Sequence, residues 1–116
     1  MEAQARSRYI RQSAHKMRLV ADLIRGKTVN EAYAILQYTK KRAAEAIDKT
    51  LRSAVANARD KADQAGEMVD VDTLYVKEAF VDEGPYYKRW RAAAMGRPSP
   101  IKRPTSHVTV VVDQKE

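Results

Sequence analysis

Helical periodicities followed by β-branched runs predict an α+β fold with a protruding hairpin arm, and three observations carry that reading. Apolar residues repeat at i, i+3, i+4 and i+7 over 13–25, 28–38 and 39–63, the spacing of three amphipathic helices. Strand patterns follow at 74–81 and 108–112. Between those strands, residues 84–107 read GPYYKRWRAAAMGRPSPIKRPTSH, with six basic residues, no Asp or Glu, all four prolines and the only tryptophan. Such a segment has too few aliphatics for a core, and its like charges repel when packed together. Its charges therefore face water or a polyanion.

In chain order, residues 5–11 alternate Arg6 and Arg8 with Ser7 and Tyr9, which fits a short strand at a sheet edge. Ser13 then offers an N-cap. The helix over 13–25 sets Met17, Val20, Ala21 and Ile24 on an apolar stripe that Leu19 and Leu23 widen. Arg18, Asp22 and Arg25 make its polar side, and Gly26 ends it in a left-handed conformation. Thr28 and Glu31 have the spacing of a capping box, opening a short helix with Val29, Ala32, Tyr33 and Leu36 that ends near Tyr38.

The longest periodic stretch, 39–63, aligns Ala44, Ile47, Leu51, Ala54, Val55, Ala58 and Ala62. So many alanines imply close approach of neighbouring elements. Glu45 and Lys49 are placed for an i, i+4 surface pair. Gly66 marks a loop, and 70–72 leads into the strand at 74–81, whose slipped alternation implies a bulge near Lys77 and Glu78. With 108–112 as the return strand, the basic segment becomes a hairpin tipped at Gly96. Extended legs over 80–94 and 96–110 project roughly 40–50 Å at about 3.3 Å per residue. Pro98 and Pro100 cannot donate to a ladder, so the far half of the arm is expected to be an irregular loop.

A chain of 116 residues fits one domain, here a body of 1–84 and 105–116 with an arm of about 85–104. Its 22 basic and 15 acidic residues give a net charge of +7, unevenly spread. Residues 1–27 hold seven basic against two acidic, 67–84 one against six, and 85–107 six against none. The absence of cysteine excludes disulfides and thiolate metal sites and suits a reducing compartment. No apolar run approaches the roughly 20 residues that cross a bilayer, and the amino end lacks a secretory signal, so a cytoplasmic protein without a membrane partner is expected.

Catalysis is not expected. The two histidines, His15 and His107, lack metal-ligand or triad spacing, and the glycines match no phosphate-binding loop. Asp70 with Asp72 and Asp82 with Glu83 read as solvated surface. No metal or other cofactor is implied. Nucleic acid suits the charge better. Lys and Arg neutralise phosphates and release counterions, Arg also stacks on bases, and Tyr86, Tyr87 and Trp90 offer further stacking. Two classes stay open on these grounds. One is an architectural DNA-binding protein with a proline-tipped β-ribbon in the minor groove, the other an RNA scaffold protein whose arm orders among RNA helices. A protein adaptor calls for an apolar arm.

The run Lys16-Met17-Arg18-Leu19-Val20-Ala21-Asp22-Leu23-Ile24-Arg25-Gly26-Lys27 resembles the first-helix signature of the bacterial ribosomal protein L-twenty-two family, from the large subunit. Val81-Asp82-Glu83-Gly84-Pro85, Lys88-Arg89, Gly96-Arg97 and Thr105-Ser106-His107-Val108-Thr109-Val110-Val111 resemble it in the same order, over about residues 5–112. The resemblance implies three helices packed on a small three-stranded antiparallel sheet, with a long hairpin. It implies a structural constituent of the large ribosomal subunit that binds large-subunit ribosomal RNA and supports assembly. The arm is then expected to line the peptide exit tunnel, beside neighbouring ribosomal proteins and the nascent polypeptide.

By position, Lys88, Arg89 and Arg97 match basic arm residues, Gly96 the tip glycine, and Ser106 and His107 the return strand. The charge pattern adds Arg6, Arg8, Arg11, Lys16, Arg18, Arg25 and Lys27 from the amino end, and Trp90, Arg91, Lys102 and Arg103 from the arm. Ala93, Ala94, Met95, Gly96 and Arg97 form the expected tunnel-facing tip. Ala92-Ala93-Ala94-Met95, Pro98, Pro100 and Pro104 depart from the family pattern and make this tip less basic and stiffer.

Overall fold

The computed structural model describes residues 2–92, 96 and 98–114. The chain runs β1 (Ala3–Ile10), α1 (Ala14–Ile24), α2 (Val29–Tyr38), α3 (Arg42–Gln64), a 3-10 turn (Val71–Thr73), β2 (Leu74–Glu83), β3 (Tyr87–Ala92), β4 (Pro98–Arg103) and β5 (Ser106–Gln114). Two of the helices, α1 and α2, start where the sequence supplies caps. Ser13 Oγ accepts from the Lys16 amide at 3.4 Å, and Thr28 Oγ1 accepts from the Glu31 amide at 3.3 Å. Gly26, at φ +80°, turns the chain out of α1 as expected.

β1, β5 and β2 form an antiparallel sheet in that spatial order, so the β-branched strand is central and β1 is indeed an edge. Val108, Val110 and Val112 of β5 are fully buried against Met17, Val20, Ile24, Ile47 and Leu51 of the helices. The whole α3 stripe from Ala44 to Ala62 is buried, which lets that helix lie close over β1 and β5. The expected bulge is present: Val76 pairs with Val112, Glu78 with Val111, and Lys77 is the extra residue.

Two expectations are corrected. Leu19 and Leu23 do not widen the core stripe; they are 46% and 47% exposed. At about 100° per residue, Leu19 points roughly 150° away from the centre of the Met17–Ile24 stripe, and a short helix on a thin sheet buries only one face. The far half of the arm is also not an irregular loop. Pro98 and Pro100 lie within β4, where Ala92 pairs with Pro98 and Trp90 with Pro100. Amides two apart on a strand point the same way, so two prolines of like parity remove donors from only one side of the strand. Ser99, Ile101 and Arg103 keep their donors for the ladder, and a two-stranded ribbon has an outer edge on each strand where proline is tolerated.

The radius of gyration is 17.6 Å, with extents of 67 × 28 × 16 Å. A compact chain of this length has a radius of about 13 Å. The excess is the arm.

Candidate nucleic-acid interface

The arm leaves the body through a locked joint. The Gly84 amide donates to the Thr105 carbonyl at 2.9 Å, and Thr105 Oγ1 donates to the Pro85 carbonyl at 2.6 Å. Gly84 is required here, because a Cβ would lie 2.4 Å from Thr105 Oγ1 and 3.2 Å from the His107 ring. Tyr9 closes the joint from the β1 side. Its amide donates to His107 Nδ1 at 3.0 Å, its ring meets His107 edge-on at 5.0 Å, and its φ of 57° is left-handed. That conformation accompanies the register shift of β1 between Ser7 and Ile10 and turns the strand end toward the arm.

Two residues expected to meet RNA stand at or beside this joint. His107 is half-buried, with Nδ1 engaged by the body. Ser106 is fully buried in the core-facing row of β5, with no side-chain partner among the described residues. Arg18 and Arg25 also have work inside the fold. Arg18 Nε and Nη2 donate to the Val81 carbonyl at 3.2 and 2.9 Å, and Arg25 Nε and Nη2 to the Ala79 carbonyl at 3.2 and 2.5 Å. They close the free edge of β2. Asn57 Nδ2 and Lys61 Nζ do the same for β1 by donating to the Gln4 and Glu2 carbonyls.

Among the described residues, five acidic groups pair with cations of the body, Glu45 with Lys49 and Asp48 with Arg52 among them. Asp82 meets Arg6 at 3.6 Å, Asp22 meets Arg25 at 2.6 Å, and Glu2 meets Lys77. The hydrogen bond and charge of Glu2 hold the Lys77 ammonium pKa above its ordinary value. Arg8, Arg11, Lys16 and Lys27 are exposed. On the arm, Lys88, Lys102 and Arg103 are exposed, as are Trp90 at 67% and Tyr86 at 53%. Lys102 Nζ lies 5.9 Å from the Tyr86 ring centre, and the Arg11 guanidinium 5.9 Å from that of Tyr87. Arg89 and Arg91 stand in β3, paired in register with Ile101 and Ser99. Of the expected tip, Gly96 has φ +70° and open space around it. Ala93, Ala94, Met95 and Arg97 lie outside the described residues.

Folding also makes a cleft at the foot of the arm. About 640 Å³ in volume, it is lined by Arg11, Gln12, Ser13, Lys16, Arg42, Tyr87, Arg103 and Pro104, with no carboxylate in its walls. Three of its four cations were legible as basic surface. Arg42 was not. The signal lay in Lys40-Lys41-Arg42 at the head of α3, where cations oppose the positive helix end. Lys41, the N-cap of α3, makes no side-chain cap bond, and the Ala44 amide donates instead to the Lys41 carbonyl at 3.0 Å.

Among the described residues, no group of His, Asp or Glu is placed to hold a metal ion. None of the helices among them is long and apolar enough to cross a membrane. The profile of the family described as Ribosomal protein L22p/L17e matches residues 5–113. The large ribosomal subunit protein uL22 of Syntrophobacter fumaroxidans is 50% identical over 115 residues, covering 99% of this chain and all of the relative. Those of Bifidobacterium longum and Halothermothrix orenii are 52% and 49% identical over 116 residues, covering all of this chain and 98% of each relative.

Proposed function

The chain belongs to the ribosomal protein L22p/L17e family, and from that premise we propose that it binds large-subunit ribosomal RNA through its arm and the arm's foot. As a member it is a structural protein of the large ribosomal subunit, active in translation, and not an enzyme. The finer reading has three parts. A one-domain body of 1–84 and 105–116 seats on RNA in the cytoplasmic ribosome and supports assembly. The arm of about 85–104 reaches between RNA helices and lines the nascent-peptide exit tunnel. Its tip, around Gly96, meets the nascent polypeptide, and neighbouring ribosomal proteins adjoin the body.

One observation carries the reading. Acid-free positive charge is concentrated on a projecting ribbon and at its foot, while all fifteen acidic residues lie in the body segments 1–84 and 105–116. Such a ribbon has little to gain from its own domain and much to gain from phosphates, through counterion release. Tyr86 and Trp90, exposed beside lysines and arginines, add stacking surface for unpaired bases.

The test is particle association. The tagged full chain is expected to co-purify with large ribosomal particles and to survive a high-salt wash, with deletion of 86–103 lowering its occupancy. Wild-type occupancy without the arm would leave the body as the sole anchor. Binding and bending of duplex DNA, with no particle association, would replace the reading with the architectural one.

A further inference from the structure

We infer that the cleft at the foot of the arm is a seat for one strand of phosphodiester backbone, gripped jointly by body and arm. The inference deepens the RNA-binding reading and rests on it. The four cations come from separate places in the chain: Arg11 follows β1, Lys16 stands in the first turn of α1, Arg42 opens α3 and Arg103 ends β4. The fold brings them around one hollow, and among the described residues none of them is in an ion pair with a carboxylate. Each of the four residues is exposed. Four like charges around a shared hollow repel one another, a cost removed when an anion enters.

The chemistry of the walls selects the anion. Guanidinium groups from Arg11, Arg42 and Arg103 offer forked donors that match phosphate oxygens two at a time, while Lys16 adds a point charge. Gln12 and Ser13 line the same wall. Tyr87, half-buried with the Arg11 guanidinium 5.9 Å from its ring centre, brings an aromatic side chain to the same wall. Small-molecule sites are enclosed and mainly apolar, whereas this hollow is open and cationic, as an extended polyanion requires. Its position adds a consequence. Arg11, Lys16 and Arg42 belong to the body, while Tyr87 and Arg103 belong to the arm. A strand seated here ties the two together and fixes the direction in which the arm leaves.

The test uses the full chain and deproteinised large-subunit ribosomal RNA, with affinity measured across a salt series. Each phosphate contact contributes about 0.7–0.9 to the slope of log K against log salt. Arg42→Gln is expected to reduce that slope by about 0.7–0.9, and Arg11→Gln with Arg42→Gln by about 1.4–1.8. Arg59→Gln, the same charge change further along the same helix, is expected to leave it within error. Thermal melting confirms that each variant is folded.

An unchanged slope in the Arg11 and Arg42 variants, with the wild type still binding RNA, would overturn the cleft and spare the functional reading. Equal losses from Arg42→Gln and Arg59→Gln would reduce the cleft to general surface charge and also overturn it. Failure of the wild-type chain to bind the RNA would overturn the functional reading itself. Poly-glutamate binding at equal affinity, with the same Arg42 dependence, would assign the cleft to an acidic polypeptide instead.

Discussion

Single side chains decide how rigidly the arm is held. Gly84 is the clearest case, because Thr105 Oγ1 occupies the place a Cβ would take, and that hydroxyl is already bonded to the Pro85 carbonyl. Gly84→Ala must either rotate a β-branched side chain away from its acceptor or shift the strand. The expected cost is about 1–3 kcal/mol in denaturant unfolding. Because the closest clash is with one hydroxyl, the cost should shrink in a Thr105→Ala background; an equal loss in both backgrounds would place the strain at the His107 ring or elsewhere. Tyr33 of α2, half-buried beside Arg52 of α3, allows a test by pH. Burial raises its phenol above tyrosine's ordinary pKa, against the nearby Arg52 guanidinium 5.5 Å from the ring centre. The unfolded chain therefore releases this proton first as pH rises. The stability that wild type holds over Tyr33→Phe is accordingly constant below about pH 10 and falls as pH climbs through and above that value. Denaturation midpoints of the two proteins between pH 8 and 11 measure it, and a difference that does not change with pH would show that Tyr33 is not desolvated.

At the scale of elements, the unforeseen feature is how the sheet's edges are closed. Arg18 of α1 and Arg25 at its C-cap bond the outer carbonyls of β2, and the Gly26 amide and Lys27 carbonyl pair with Val76 further along the same edge. An open edge recruits a second chain. Arg18→Ala and Arg25→Ala are each expected to cost about 1 kcal/mol, since water partly replaces a charged donor at a half-exposed site. The double variant is expected to self-associate at concentrations where wild type stays monomeric. Urea unfolding and light scattering report the two effects, and a double variant as stable and as monomeric as wild type would remove the role. The periodicities of α1, α2 and α3, their Ser13 and Thr28 caps and the Lys77 bulge were all legible, because each is a local pattern with one physical solution. Leu19 and Leu23 misled because apolar composition was allowed to override angle. Pro98 and Pro100 misled because their effect depends on parity within a ladder, and parity is known only once the register is. The cleft was legible as charge but not as a place, since nothing near Arg42 in the chain announces Arg103.

For the whole molecule, the balance between body and arm is set by what each element pairs with. β5 has a strand on both sides and helices over its Val108, Val110 and Val112 row, so its amides open only with the whole body. Among the described residues, β3 and β4 have no strand partner but each other. A two-stranded ribbon alone in water is marginal, and this one carries lysines and arginines that repel along its length. In the free chain, amides of β3 and β4 are therefore expected to exchange at least about 100-fold faster than those of Val108 to Val112, the gap between local and global opening. The joint sets the boundary: Gly84, bonded to Thr105, belongs with the slow set, whereas Arg89 and Ile101 belong with the fast one. Adding deproteinised large-subunit RNA should slow the ribbon while leaving β5 unchanged, because phosphates supply from outside the stability that β3 and β4 lack. Slow exchange in the ribbon before RNA is added would mean that the arm is held by its own protein, and the case for RNA as the element that orders it would fail.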